Sequence, residues 1–375
     1  MTKRMKLRIF LLMCCTSLLA LHPAKAQDAA ESGDDMVKKG EFQKAIDFYT
    51  TAVKVTPTNA LAWYNMGYSH YKLKMYKEAL NDYDQAIKLS PYDAEAYYNR
   101  GNVKHELGDD KGALADYNKV VEMKPGFGDV YNNRGNLRMI LMDSVGALLD
   151  YNSAVEIEPD SAKAYLGRGN LKVKLGDTLG ALHDYDKSIA VDSTWPELYF
   201  QRAEVKYMFR NYTSSILDYN KVLAFDDVAD AYEGRGNAKL KLGDAKGAMA
   251  DYDKAIAISP NDGYAYLHRG EAKILLKNYP EAIQDCNEAI KYVTHDDPIG
   301  YIKRGDAKAA MKKYNDAIYD YIKAIEIEPK DALAYYRRGV TEVMMGKNGD
   351  ACTDLKKALE LGYKPAAVDI STNCK

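Results

Sequence analysis

Cysteine, tryptophan and histidine are scarce in this chain: 375 residues hold five cysteines, two tryptophans and six histidines. Cys14 and Cys15 stand in an N-terminal apolar run, so Cys286, Cys352 and Cys374 are left for the body of the protein, too few for a disulfide framework. The histidines His22, His70, His105, His183, His268 and His295 share no metal-ligand spacing, and none has a cysteine beside it, so no metal is expected. Beyond residue 26 no stretch approaches the roughly eighteen apolar residues of a membrane-spanning helix. An excess of one charge is also missing. With 52 basic and 54 acidic residues, the chain has no basic stripe of the kind that grips a phosphate backbone, and no nucleic-acid partner is expected. The Arg-Gly-Asn and Gly-Asp pairs recur at a fixed period and belong to it, so they are not a phosphate-binding loop. No nucleophile, base or paired acid stands out, and neither catalysis nor a cofactor is expected.

The N-terminus has its own pattern. Lys3, Arg4, Lys6 and Arg8 precede an apolar run from Ile9 to Leu21, and Ala24-Lys25-Ala26 precedes Gln27. This order of basic, apolar and small-x-small reads as a secretory signal peptide (residues 1–26) cleaved between Ala26 and Gln27. Acylation of Cys14 or Cys15 fits less well, because Met13 and Cys14 are not the small residue expected just before a lipid-bearing cysteine. The expected mature chain holds 47 basic and 54 acidic residues and no membrane anchor. Export to a bacterial periplasm is the expected location, with secretion as the other outcome.

From residue 26 to 365 one 34-residue pattern is written ten times, with repeats starting at 26, 60, 94, 128, 162, 196, 229, 263, 298 and 332. Apolar or small residues fall at slots 4, 8 and 11 and again at 20, 24, 27 and 28, which is helical spacing on two separate segments. Each repeat is therefore two helices. Glycine at slot 15 (Gly40, Gly108, Gly176, Gly243, Gly346) suits a left-handed cap on the first helix, and proline at slot 32 stops the second. Small residues at slots 8 and 20 permit close approach, and the tyrosines that fill slots 4 and 24 are expected to be core. A repeat this small cannot bury its own apolar face and must stack on its neighbours, so the fold class is all-α, an α-solenoid. Residues 366–375 are expected to be a tail without a capping helix.

The pattern resembles the tetratricopeptide repeat. In the second repeat Trp63, Gly67, Tyr71, Ala79, Tyr83, Ala86 and Pro91 stand in that family's order. The resemblance implies a right-handed superhelix of antiparallel helix pairs, whose first helices line a concave groove that holds a peptide or a segment of a partner protein.

One departure from the plain family pattern recurs. Slot 7, commonly leucine, is Arg100, Arg134, Arg168, Arg202, Arg235, Arg269, Arg304 and Arg338 in repeats 3 to 10. Slot 23 of the same repeats is Asp116, Asp150, Asp184, Asp218, Asp251, Asp285, Asp320 and Asp354. Eight coincidences predict that the two residues meet as charge-assisted bonds, within a repeat or between neighbours. Repeat 6 is one residue short near Asp227 and repeat 8 one residue long near His295, which reads as drift in the connecting loops, with bends or hinges in the solenoid as the alternative.

The candidate binding residues are amides. Slot 6 is Asn65, Asn99 and Asn133, and slot 9 is Asn102, Asn136 and Asn170. Residues three apart share a helix face, so these make two parallel ladders, and an amide that both donates and accepts can hold a peptide backbone without selecting its side chains. The arrangement resembles the asparagine ladder of the O-linked N-acetylglucosamine transferase superhelix. Cys286 falls in slot 24 and is expected in the core. Cys352 and Cys374 are expected to form a disulfide that fastens the tail. The function expected is a non-catalytic protein–protein interaction scaffold of the cell envelope. A regulatory or assembly subunit of an envelope enzyme complex and a chaperone-like holder of exported chains are the alternatives.

Overall fold

A computed structural model describes residues 25–293 and 297–374. The basic and apolar part of the expected leader, with Cys14, Cys15 and His22, lies outside the described residues, as does His295; Ala26 and Gln27 stand in the first turn of a helix spanning residues 25–38 (α1). The described residues form twenty-one helices and no strand.

Two compact bodies divide the chain, one ending at Val191 and one beginning at Asp192. In the first, α1 is followed by α2 (Phe42–Val55), α3 (Ala60–Lys72), α4 (Tyr76–Leu89), α5 (Ala94–Glu106), α6 (Asp110–Met123), α7 (Gly128–Ile140), α8 (Ser144–Ile157), α9 (Ala162–Lys174) and α10 (Thr178–Val191). In the second come α11 (Pro196–Met208), α12 (Tyr212–Val222), α13 (Ala229–Lys241), α14 (Ala245–Ile258), α15 (Gly263–Leu275), α16 (Tyr279–Tyr292), α17 (Ile299–Ala310), α18 (Tyr314–Ile327), α19 (Ala332–Met344), α20 (Asn348–Glu360) and α21 (Ala366–Asn373). Within each body every helix packs on the next in sequence, and first helices of successive repeats also touch, as α3 with α5 and α7 with α9. This is an α-solenoid of helix pairs.

Local chemistry starts and stops the helices. Asn59, Asp93, Asp143, Asp244 and Asp331 accept hydrogen bonds at their helix N-termini from otherwise unpaired backbone N–H groups. Slot 15 is left-handed in all ten repeats, not only where it is glycine: Lys74, Met142, Arg210, Lys277 and Lys312 have φ between 59° and 63°. The turn geometry is thus set by packing of the helix pair, and five side chains accept an unfavourable backbone region to meet it.

The core is built from one contact repeated. Tyr49, Tyr83, Tyr117, Tyr151, Tyr185, Tyr219, Tyr252 and Tyr321, all at slot 24, are at most 2% exposed. They lie against slot 8: a Cβ on Gly101 would sit 2.7 Å from Tyr117 Cε1, and one on Gly305 would sit 2.6 Å from Tyr321 Cε1. Cys286 takes the tyrosine's place in repeat 8 and is fully buried.

Three expectations need correction. The slot 4 tyrosines are mostly half-buried, not core, because each carries the guanidinium of slot 7 on its face, as Arg100 lies 5.1 Å from the Tyr97 ring centroid and Arg168 lies 5.5 Å from that of Tyr165. The tail is not bare: residues 366–373 form α21, which packs on α20 and α19, with Tyr336 donating to Asp369 at 3.0 Å. Pro365, at the position before its first residue, starts a helix that the missing repeat pattern does not announce. The register loss in repeat 6 falls in the second helix, since α12 has 11 residues where α14 has 14, and not only in a loop.

Candidate functional site

Six of the slot 7 arginines, Arg100, Arg134, Arg168, Arg235, Arg269 and Arg304, meet partners in two repeats at once. Arg168 donates from Nε to Asp184 Oδ2 at 2.9 Å and from Nη2 to Asp184 Oδ1 at 2.7 Å, both within its repeat, while Nη1 reaches Asn152 of the preceding repeat at 3.0 Å. The eight arginines all hold their own aspartate in this bidentate way. Where repeat 6 is short, Arg235 still reaches back to Asn220, and where repeat 8 is long, Arg304 still reaches Asn287. Slot 11 adds a second cation on the same carboxylate: Lys104, Arg138, Lys172, Lys206, Lys239, Lys273 and Lys308 each lie within 2.8 Å of it. With the aspartates nearly buried and fully paired, this array ties neighbouring repeats together within each body and leaves no anion-binding ladder.

The amides are also partly spoken for. Tyr117, Tyr151 and Tyr185 donate from their hydroxyls to the Oδ1 atoms of Asn102, Asn136 and Asn170 at 2.7, 2.6 and 2.7 Å. Slot 9 is thus the acceptor that caps the core tyrosine, a role that Asp34 and Asp306 fill for Tyr49 and Tyr321. Slot 6 links neighbours: Asn65 donates to Asp34 at 2.9 Å, Asn99 to the Tyr64 hydroxyl at 2.8 Å, and Asn133 to the Tyr98 hydroxyl at 2.8 Å and to Asn102 Oδ1 at 3.1 Å. Burial, followed by the charge of Asp129, pushes the Tyr98 phenol up to about 12, so it stays protonated across the physiological range. In the second body other polar pairs take these places, with Lys303 donating to Glu271 at 2.9 Å and His268 Nδ1 lying 3.0 Å from Glu233 Oε1.

Of the six candidate amides, Asn102, Asn133 and Asn136 come together in one cleft of about 370 Å³ on the first-helix face of α3, α5, α7 and α9. Asn65, Asn99 and Asn170 do not line it. Tyr98, Tyr117 and Asn132 complete its wall, and the exposed residues Glu106, Asp129 and Lys163 contribute its charges. Asn132 is the residue that the ladder argument misses. Slot 5 is Ala30, Tyr64, Tyr98, Leu166, Phe200, Leu267, Ile302 and Tyr336 in eight other repeats and Glu233 in repeat 7, so Asn132 is one of two polar residues that interrupt a mostly apolar column, and it is the buried one.

This arrangement defines a class: a helical-repeat interaction module with a polar cleft on the faces of its first helices. Models described as tetratricopeptide repeat match residues 60–93, 94–127, 210–263 and 233–296, and one described as TPR repeat matches 33–74 and 305–346. Together these cover more than half of the chain, and the protein belongs to the tetratricopeptide repeat family. Tetratricopeptide repeat protein 12 of Mus musculus is 37% identical over 67 residues, which is 18% of this chain and 9% of that protein. The chain thus matches under a tenth of that relative's length. A tetratricopeptide repeat protein from Parabacteroides merdae is 24% identical, with TM-score 0.50, over 66% of this chain and 99% of its own. The C-terminal part of a repeat protein from Cytophaga hutchinsonii is 16% identical, with TM-score 0.53, over 63% and 97%. These two likenesses concern the fold. Family and fold support a scaffold for protein–protein interaction. No helix among the described residues is long and apolar enough to cross a membrane.

Proposed function

We propose that the protein is an exported scaffold that holds an extended segment of a partner protein against the first-helix face of repeats 2 to 5. The observation that carries this is the cleft of Asn102, Asn133 and Asn136, whose Oδ1 and Nδ2 atoms are ordered by core tyrosines and by one another. For Asn136 the bond from Tyr151 engages the carbonyl oxygen, which leaves its amide N–H groups for a ligand's carbonyls. Export is supported by the leader pattern and by the Cys352–Cys374 disulfide, which suits an oxidising compartment. Protein recovered from the envelope should begin at Gln27, and an intact or acylated N-terminus counts against export in this form.

The groove is tested by removing the amides without stranding their tyrosines. Repeat 10 carries Val340 and Leu355 at the same two slots, so Asn102→Val with Tyr117→Phe and Asn136→Val with Tyr151→Phe imitates a pair already present. The fourfold variant should keep its helical melt and lose its crosslinked partner in the native host's envelope fraction. Full crosslink yield from a stable variant would place the site elsewhere.

A further inference from the structure

Resting on the groove reading, we propose that the cleft around Asn132 holds one cationic side chain, an arginine or lysine, of the bound segment. Asn132 stands where the two neighbouring repeats carry Tyr98 and Leu166: the larger apolar side chain of both neighbours is missing here, and the cleft opens beside Tyr98, Tyr117 and Leu137. What replaces it is polar. Asn132 is 6% exposed, and its Oδ1 has no hydrogen-bond partner. Its Nδ2 makes only a long contact, 3.4 Å to Asn133 Oδ1. A buried acceptor without a donor costs about 1–3 kcal/mol, so a donor reaching Asn132 Oδ1 through the cleft, from a ligand in place of water, is stabilised there.

The other walls narrow the chemistry of that donor. Two carboxylates, Glu106 and Asp129, line the cleft against one ammonium, Lys163, while His105 is engaged by Asp110 at 2.7 Å. The half-buried Tyr71 and Tyr98 contribute ring surface, which suits a guanidinium or the methylene stem of lysine. Amide oxygens, carboxylates and ring faces together form a lining for a positively charged donor, whereas a carboxylate-bearing side chain would meet two like charges. The backbone-binding amides give no side-chain selectivity, so this cleft is where selectivity enters the groove.

The test uses the full chain and four acetylated, amidated pentapeptides, Gly-Gly-X-Gly-Gly, with X arginine, lysine, citrulline or glutamate, titrated by saturation-transfer NMR. The arginine and lysine peptides should bind about tenfold more tightly than the citrulline and glutamate peptides, the ratio expected for about 1.4 kcal/mol of charge-assisted bonding. That preference should vanish in Asn132→Leu, which installs the residue repeat 5 carries. It should also fall in the surface double variant Glu106→Gln with Asp129→Asn, which keeps the test sound if Asn132→Leu does not fold. Equal affinity for all four peptides overturns the cationic pocket and leaves the groove standing. No saturation on any of the four peptides, their glycine protons included, overturns both.

Discussion

Asp184, fully buried, takes two hydrogen bonds from Arg168 and a third contact from Lys172 Nζ at 2.8 Å. The Arg168 side chain is itself only 15% exposed, so the pair sits where water cannot replace a lost partner.

Arg168→Leu should therefore cost about 1–3 kcal/mol, held to that range because Lys172 stays on the carboxylate. Asp184→Ala should cost more, since it strands two cations together. Urea midpoints check both, and a midpoint equal to wild type for either variant removes the pair from the list of structural contacts.

The tyrosine–amide bond should behave as a coupled pair. Asn136→Ala leaves the Tyr151 hydroxyl, which now donates to Oδ1 at 2.6 Å, without its acceptor and should cost about 1–2 kcal/mol. Tyr151→Phe in the same chain should return part of that loss. A double variant whose destabilisation is the plain sum of the two single ones would show that the bond carries no coupling.

Repeat 10 breaks the cation rule, with Glu342 at the slot that holds Lys104 or Arg138 elsewhere. Burial, then the charge of Asp354, pushes its carboxyl up to about 7. A raised folded-state value means that the stabilising contribution is complete below the ordinary carboxylate range and is lost as pH rises through about 7. Glu342→Lys should raise the urea midpoint at pH 8, and by less at pH 5 where the wild-type group is protonated. A gain that is the same at both pH values, or no gain at pH 8, counts against this account.

Reducing the Cys352–Cys374 bond, with its sequence separation of 22, should lower stability by about 3 kcal/mol on the chain-entropy estimate. The loss should appear first in α20 and α21, so hydrogen exchange with and without reductant should differ there and be unchanged in α3 to α9. Uniform change across the chain would mean that the bridge does not act locally.

The pairing of helices and the Arg–Asp partnership were legible in the sequence, because both recur at a fixed spacing; α21 was not, because residues 366–373 lie outside the repeat pattern. Asn102, Asn133 and Asn136 were legible as a ladder through the same fixed spacing. Which of the six amides share a cleft was not, because that depends on how first helices of successive repeats stack. The slot 9 amide turning to the core tyrosine hydroxyl, and the arginine reaching two repeats at once, also needed the third dimension: both join residues 15 or 16 apart through packing. Asn132 marks the boundary most clearly. The sequence determined that a polar residue interrupts an apolar column; only the tertiary structure decided that the gap opens onto a cleft, because the space left by a missing side chain belongs to whichever neighbours fail to fill it.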